Sequence, residues 1–282
     1  MTAATLSASS SKSKFRLGGG AQPLILLPVQ VNGRGPFDFI LDTGAGTSLV
    51  SSELGREFGI KIVGSADGQG AGGKVSVSLA KVDSLAVGES KVSDVDVGIV
   101  DLSNIGKAVG KRVDGDLGYN FLKHFRVTIN YRDCEIRFDD PKRVERFADG
   151  AQPGIPIRLA SRAKPLILVD VYANSRGPFQ FAIDTGTSTS AIRPDLAKEL
   201  GLTTLEVPPI AGGGGQILAS ASVLNSFQLG GTKIDNLAVV VADFFTMLNA
   251  AIGAKLDGIV GYNFLHNFKV VIDYPGETLT LY

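Results

Sequence analysis

Two Asp-Thr-Gly triplets, Asp42–Gly44 and Asp184–Gly186, are the residues of this sequence best suited to chemistry. Two carboxyl groups in one site repel each other as anions, so only one ionises easily and the pair holds one proton. The ionised carboxylate can act as a general base on a bound water, and the protonated carboxyl as a general acid on a carbonyl or leaving amine. If the two aspartates meet, the expected chemistry is amide hydrolysis without a covalent enzyme intermediate.

Each triplet follows an apolar segment that predicts a β-strand, residues 37–41 in the first case and residues 179–183 in the second. The end of a strand holds a side chain rigidly outside the core. Glycine lets the backbone turn sharply and bring its N–H to the carboxylate, and threonine can form local hydrogen bonds across a symmetry axis. The residues expected to support the two carboxylates are Thr43, Gly44, Thr185, Gly186 and Thr187.

The chain repeats itself after 142 positions, which is the separation of the two aspartates. This shift places Arg34–Phe37 on Arg176–Phe179, and after one extra residue in the second half Gly118–Leu122 matches Gly261–Leu265. A repeat unit of this length is a domain, so we expect two similar lobes related by an approximate twofold axis. Two such lobes imply a cleft between them.

Most of the pattern within each repeat is typical of β-strands, because β-branched or alternating apolar segments lie between glycine-rich turns. The predicted fold class is therefore all-β with minor helices, arranged as two β-barrel-like lobes. The strands predicted in the first lobe are Ile25–Val31, Phe37–Leu41, Lys74–Leu79, Val92–Val100 and Arg126–Asn130. Short helices are predicted over residues 51–58, 104–109, 193–200 and 246–252, and over the two Tyr-Asn-Phe-Leu segments at 119–122 and 262–265.

A cluster of turn-forming residues at 149–154 separates the two repeats. We therefore place an N-terminal lobe at residues 14–149 and a C-terminal lobe at residues 150–282. The first residues lack the apolar core of a signal peptide, and residues 1–13 are expected to form a disordered tail. A cytoplasmic location is the default, and a periplasmic or secreted one follows if the N-terminus is truncated.

Composition excludes several classes of partner. Among 282 residues, Lys+Arg and Asp+Glu number 28 each, so no net charge draws the chain to nucleic acid or an anionic membrane. No apolar run approaches the roughly 20 residues that span a bilayer. The single Cys134 with His124 and His266 cannot form a structural zinc site, so no metal is expected.

The motifs resemble those of the aspartic protease superfamily, and the resemblance covers almost the whole chain. Asp42–Ala45 is similar to the retropepsin motif, and Asp184–Ser188 to the second-lobe motif of pepsin-like enzymes. Residues 117–122 and 259–265 resemble the second family signature, in which two apolar residues precede glycine. Asp116 replaces the first of these apolar residues in the N-terminal lobe.

This resemblance implies a single-chain, bacterial-type retropepsin-like protease with the two-lobed acid protease fold. It implies that Asp42 and Asp184 are the catalytic residues of an aspartic endopeptidase. The implied partner is a peptide or protein substrate, with no cofactor, and the chain is expected to be active as a monomer.

Family members cover the cleft with a β-hairpin flap, and glycine-rich segments stand at the equivalent places in both halves. Bare backbone at such tips can approach an extended peptide closely. Two flaps without tyrosine resemble a retropepsin dimer fused into one chain, although two ordinary mobile loops are the alternative. The predicted flap residues are Gly70, Ala71, Gly72, Gly73, Gly212, Gly213, Gly214 and Gly215.

Retroviral enzymes carry an Asp after their Asp-Thr-Gly-Ala motif and an Arg in the later signature, which form an ion pair. Here Gly46 and Ser188 replace the acid, and Tyr119 and Tyr262 replace the arginine. The association of the two lobes is therefore expected not to depend on that ion pair.

The two motifs differ at one further position, where Ala45 in the first matches Thr187 in the second. If Thr187 donates its hydroxyl to Asp184, the ionised form is favoured on Asp184. Asp42 is then predicted to carry the shared proton.

Two alternatives remain open at the level of sequence. One is a non-catalytic peptide-binding module of the same fold. The other is a homodimer in which each site forms between two chains.

Overall fold

The computed structural model describes residues 11–141, 154–161 and 164–282, and the backbone of residues 6–7. The predicted boundary between residues 149 and 150 lies outside these ranges. The architecture is mostly β with short helices, so the predicted fold class is confirmed. None of the described helices is long and apolar enough to cross a membrane.

The first half of the chain contains twelve described strands. They are β1 (Leu6–Ser7), β2 (Ser11–Lys14), β3 (Arg16–Gly18), β4 (Leu24–Val31), β5 (Arg34–Leu41), β6 (Leu49–Ser51), β7 (Ile62–Gly70), β8 (Gly73–Val87), β9 (Ser90–Val100), β10 (Gly115–Leu117), β11 (Arg126–Asn130) and β12 (Glu135–Asp139).

The second half repeats this series. Its described strands are β13 (Ile155–Pro156), β14 (Arg158–Leu159), β15 (Ile167–Ala173), β16 (Arg176–Ile183), β17 (Ala191–Ile192), β18 (Leu205–Gly212), β19 (Gly215–Leu229), β20 (Thr232–Ala242), β21 (Gly258–Val260), β22 (Lys269–Asp273) and β23 (Thr278–Leu281).

The described part of each half contains three short helices, at the places where the sequence predicts them. They are α1 (Ser52–Glu57), α2 (Ser103–Val109), α3 (Tyr119–Leu122), α4 (Pro194–Glu199), α5 (Phe245–Ile252) and α6 (Tyr262–Leu265). Helix α1 is capped by the Ser51 hydroxyl, which accepts the Leu54 N–H, and α4 has proline in its first turn.

Each lobe is built on one mixed sheet. The first sheet runs β1-β9-β6-β10-β5-β4-β8-β7, with β3 beside β4, and the second runs β14-β15-β16-β21-β17-β20-β19-β18. Apart from β1, the strands of one sheet have equivalents in the other under the sequence repeat. Equivalent strands make the same pairings once the additional β8–β9 and β15–β19 pairings are included. The duplication seen in the sequence is therefore a duplication of structure.

A third sheet of six strands joins the two lobes. Its order is β13-β23-β22-β11-β12-β2, so three strands come from each half of the chain. At its centre β11 and β22 pair antiparallel, with Thr128 opposite Val271 and Arg126 opposite Asp273. Thr128 and Val271 are equivalent positions of the repeat, so the approximate twofold axis passes between them.

The expectation that residues 1–13 form a disordered tail is wrong for residues 11–13, because they belong to strand β2. This strand pairs antiparallel with β12, and Lys12 and Lys14 form ion pairs of 3.1 and 3.4 Å with Glu135. The alternation in β2 is between serine and lysine. A search for apolar periodicity therefore finds no signal there.

Aromatic side chains pack across the lobe interface where the retroviral ion pair is absent. Tyr119 meets Tyr274 edge to face at a centroid distance of 5.7 Å, and Tyr131 meets Tyr262 at 5.5 Å. Each pair joins one residue from each half. Such contacts add to apolar burial, so the interface is held by packing and by the shared sheet.

The shared sheet also carries an ion pair, from Arg126 to Asp273. The guanidinium donates to Asp273 Oδ2 from Nε at 2.9 Å and from a terminal nitrogen at 2.6 Å, and the Gly276 N–H donates to Oδ1 at 2.9 Å. Both side chains are mostly buried. This pair therefore ties one lobe to the other.

We expect Asp273→Ala to lower the free energy of unfolding by about 2 kcal/mol, because it removes hydrogen bonds to a mostly buried charge. The matched control is Asp235→Ala, whose exposed partner is Lys233; its effect should stay below about 1 kcal/mol. Denaturant unfolding of both variants gives the comparison. Equal losses would show that the interlobe pair contributes no more than a surface pair.

Candidate active site

The two Asp-Thr-Gly triplets lie at the ends of equivalent strands. Asp42 follows β5 and donates its backbone N–H to the Leu117 carbonyl at 3.1 Å, and Asp184 follows β16 and donates to the Val260 carbonyl at 3.0 Å. The acceptors belong to β10 and β21, which run parallel to β5 and β16. The second apolar-Gly signature of each lobe thus supports the aspartate loop of the same lobe.

Thr43 and Thr185 bind each other's loops in a reciprocal pattern. The Thr43 hydroxyl donates to the Ile183 carbonyl at 2.8 Å and accepts the Thr185 N–H at 3.1 Å. The Thr185 hydroxyl donates to the Leu41 carbonyl at 2.7 Å and accepts the Thr43 N–H at 3.1 Å. Both side chains are 2% exposed. Four hydrogen bonds therefore tie the lobes together one residue from each aspartate.

The glycines of the triplets bring the two carboxyl groups face to face. Gly44 and Gly186 donate their N–H groups to the Oδ1 atoms of Asp42 and Asp184, at 2.7 and 2.8 Å. A Cβ on Gly44 would lie 2.7 Å from Asp184 Cγ, and one on Gly186 would lie 2.6 Å from Asp42 Cγ. Each carboxyl therefore packs against the bare backbone of the opposite loop, where no side chain fits.

Burial raises the pKa of Asp184 to about 8, and the negative charge of Asp42 contributes in the same direction. Hydrogen bonds from Thr187 and Gly186 oppose this rise, and the hydrogen bond shared with Asp42 adds to it. A raised pKa favours the protonated form of Asp184. The arrangement can therefore supply one acid and one base at the same time.

A protein-family model described as "Aspartyl protease" matches this chain twice, at residues 27–121 and 169–264. The chain belongs to the aspartyl protease family. The two matches, of the retropepsin-like type, fall one on each lobe and confirm both the resemblance and the internal duplication. No curated protein matches the chain.

Beside the paired carboxyls, Thr187 makes the predicted hydrogen bond. Its hydroxyl donates to Asp184 Oδ2 at 2.9 Å and lowers the pKa of that carboxyl. Burial and the charge of Asp42 nevertheless outweigh the Thr187 hydrogen bond and raise the pKa of Asp184. This direction favours the shared proton on Asp184 and contradicts the prediction that Asp42 carries it.

A third carboxyl, Asp116, lies beside Asp42 and is the main residue of the site that the sequence analysis missed. It is 8% exposed, and burial, together with the charge of Asp42, raises its pKa well above the usual range. The sequence marks Asp116 only as a departure from an apolar position. Its proximity to Asp42 follows from the parallel pairing of β10 with β5.

Two further hydrogen-bond networks were also missed. Ser48, fully buried, donates its hydroxyl to Asn120 Oδ1 at 2.8 Å and accepts the Gly118 N–H at 3.0 Å. Ser190 and Asn263 form the same bonds in the other lobe. Both pairs recur at equivalent positions of the repeat, which is the signal that could have found them. They fix the turn after each triplet to the short helix of the second signature.

Two long hairpins lie where the sequence predicts flaps, β7–β8 in one lobe and β18–β19 in the other. Their glycine tips meet, and the Gly72 N–H donates to the Gly213 carbonyl at 2.8 Å. A Cβ on Gly70 would lie 2.2 Å from that same carbonyl oxygen, and one on Gly214 would lie 2.5 Å from the Gly73 carbonyl oxygen. Glycine is therefore required for the tips to touch.

Each hairpin also contacts a helix of the opposite lobe. Strand β7 lies against α5 and strand β18 lies against α2. Ala71, at the tip of the first hairpin, packs beside the apolar cluster of the C-terminal lobe that includes Ile217 and Phe244. The two hairpins thus cross between the lobes.

We expect Thr43→Val to lower the free energy of unfolding by about 3 kcal/mol, because the buried Thr185 N–H and Ile183 carbonyl lose their partner. Thr43→Ser keeps the hydroxyl and loses one methyl group, so its cost should be about 1 kcal/mol. Chemical denaturation measures both. If valine is tolerated as well as serine, the reciprocal bonds do not hold the lobes together.

Proposed function

We propose that this protein is an aspartic endopeptidase that hydrolyses peptide bonds with a water molecule activated between Asp42 and Asp184. The observation that carries the proposal is the facing pair of carboxyls, in which Asp184 has a pKa of about 8 because of burial and the charge of Asp42. Membership of the aspartyl protease family supports it independently.

In the proposed reaction the ionised Asp42 carboxylate accepts a proton from the water, and the water oxygen attacks the carbonyl carbon of the peptide bond. Neutral Asp184 donates its proton to the carbonyl oxygen, and a tetrahedral diol forms. Asp42 then passes its proton to the amide nitrogen, the C–N bond breaks, and a diol hydroxyl returns its proton to Asp184. Protons balance over the cycle, and no covalent enzyme intermediate is needed.

The support residues have distinct parts in this proposal. Gly44 and Gly186 hold one oxygen of each carboxyl through their N–H groups, and Thr187 holds the other oxygen of Asp184. Thr43 and Thr185 set the distance between the two loops. None of these five residues exchanges a proton with the substrate.

The two hairpins are proposed to act as flaps over the substrate. An extended peptide presents backbone N–H and carbonyl groups that can pair with the bare backbone at the tips. Because the tips touch each other, they must part for a peptide to enter. The residues proposed to line this path are Gly70, Ala71, Gly72, Gly73, Gly212, Gly213, Gly214 and Gly215.

Both carboxyls come from one chain, which supports activity as a monomer. A homodimer with sites between chains would leave the intramolecular pair without a role. Complementation separates the two arrangements: a mixture of Asp42→Asn and Asp184→Asn proteins stays inactive if each site lies within one chain.

We expect wild-type protein to cleave an unfolded protein or a peptide library, and Asp42→Asn or Asp184→Asn to lower kcat by about a thousandfold. A peptide mimic of the tetrahedral intermediate should bind more tightly than a matched substrate peptide, because the site is complementary to the transition state. Peptide binding without turnover at any pH would instead identify a peptide-binding module of the same fold.

Activity should fall as pH rises through about 8, because Asp184 then loses the proton that it donates to the carbonyl oxygen. Thr187→Ala removes a donor that lowers the pKa of Asp184. The basic limb of the profile of kcat/KM against pH should therefore move to higher pH by roughly half a unit to one unit. Alanine stands at the equivalent position, Ala45, and is therefore compatible with this turn.

The control for this shift is Thr187→Ser, which keeps a hydroxyl and should keep the limb of the wild-type profile. The measurement is kcat/KM against pH for the three proteins. A basic limb that stays in place in Thr187→Ala would mean that another group controls it.

A further inference from the structure

Asp116 occupies a position where the fold places an apolar side chain. It lies in β10, opposite Ile40 of β5 and Leu49 of β6, and the equivalent residue of the other lobe is Ile259. Ile259 belongs to the apolar cluster of its lobe. An acid at this buried point is costly unless a neighbour stabilises it.

Among the described residues, the charged groups that act on Asp116 are two acids. Asp42 reaches it from the loop after β5 and shares a hydrogen bond with it, and Asp184 acts on it from the opposite lobe. The adjoining β6 segment, Leu49–Ser51, carries no titratable side chain. The two basic side chains that precede Asp116 most closely in the sequence are paired with other acids, Arg112 with Asp114 and Lys111 with Asp38.

One oxygen of Asp116, Oδ1, is buried without a hydrogen-bond partner within the part of the chain that the structure describes. Two lone pairs of a carboxylate left unpaired in this way cost more free energy than those of a neutral acid. A neutral Asp116 also gains an O–H that can donate to Asp42. Both terms favour the protonated form.

The three carboxyls form a row with Asp42 in the middle. Asp42 shares hydrogen bonds with Asp184 on one side and with Asp116 on the other. If the row carries a single negative charge, that charge is best placed on the central group, because both neutral neighbours can then donate to it. With the charge on either end, both bonds still have a donor, but only one of them ends on the anion, and hydrogen bonds to an ionised acceptor are the stronger ones.

We propose that Asp116 is a positioning residue of the catalytic pair: it stays neutral, donates a hydrogen bond to the Asp42 carboxylate, and thereby keeps Asp42 ionised as the general base. This inference rests on the proposed function. It accounts for the difference between the two motifs, since Thr187 donates to Asp184 whereas Ala45 has no donor for Asp42. Asp116 supplies the donor that Ala45 lacks, from a different strand of the same lobe.

Two substitutions distinguish a neutral Asp116 that donates a hydrogen bond from an ionised Asp116 that repels Asp42. Asp116→Asn keeps a neutral donor of the same shape. Asp116→Ile places the residue of the other lobe at this position and removes the donor. Removing a donor from a carboxylate raises its pKa, so the acidic limb of kcat/KM in Asp116→Ile should move to higher pH by about one unit.

In Asp116→Asn the acidic limb should remain within about 0.3 pH units of the wild-type limb, because the amide still donates to Asp42. If Asp116 is instead an anion, both variants remove a repulsive charge, and both limbs move to lower pH. That result overturns the proposal. An acidic limb that does not move in Asp116→Ile also overturns the proposal.

Infrared spectroscopy tests the protonation of Asp116 without any turnover. At neutral pH the C=O stretch of neutral carboxylic acids should come from Asp116 and Asp184. Asp116→Asn and Asp184→Asn should each remove about half of this band, and the double variant nearly all of it. A band that Asp116→Asn leaves unchanged overturns the proposal.

The two readouts also keep this inference separate from the proposed function. If wild-type protein cleaves no peptide at any pH while the infrared band behaves as expected, the proposed function fails and the neutral state of Asp116 stands. If peptides are cleaved but substitutions of Asp116 change neither the infrared band nor the acidic limb, the proposed function stands and the neutral state of Asp116 is overturned. Should Asp116→Ile not fold, the infrared comparison of the asparagine variants decides.

Discussion

The reciprocal hydrogen bonds between Thr43 and Thr185 are the constraint on which the rest of the site depends. Each hydroxyl bonds the carbonyl that precedes the opposite aspartate and the N–H that follows it. The relative position of Asp42 and Asp184 is thus fixed by backbone atoms one residue away. The shared sheet, with β11 paired to β22, and the interlobe tyrosine pairs keep these two loops in reach of each other.

The duplication supplies symmetry, and the site uses departures from it. The backbone bonds to Oδ1 are the same in both lobes. The side-chain contacts are not, because Thr187 has alanine as its counterpart and Asp116 has isoleucine. A dimer of identical chains cannot hold such differences, since every residue would appear on both sides of the axis. Fusion of the two lobes in one chain permits an acid and a base with separate surroundings.

Local patterns in the sequence were sufficient to predict much of this structure. The repeat identified both lobes, and the apolar segments before Asp42 and Asp184 predicted the strands that carry them. Ser11–Lys14 was missed because its pairing with β12 involves charged and hydroxyl side chains with no apolar period. The Asp116 contact was missed for another reason: it depends on how β10 is registered against β5, which no local pattern specifies.

The protonation of the pair illustrates the same limit. The sequence revealed the Thr187 donor, yet it contained no measure of how deeply Asp184 is buried or how near Asp42 lies. Those two quantities decide the pKa of Asp184, and they come from the packing of residues far apart in the chain. The hydrogen bond was predicted correctly, whereas its consequence was not.

The meeting of the hairpin tips joins the two lobes at a second place, distant in sequence from the threonine bonds. The Gly72 N–H of one hairpin donates to the Gly213 carbonyl of the other, so this contact is made by backbone atoms. If the hairpins are the flaps of the proposed function, this bond must open before an extended peptide can enter. The first property of a substrate that matters is then its conformation, and its side chains come second.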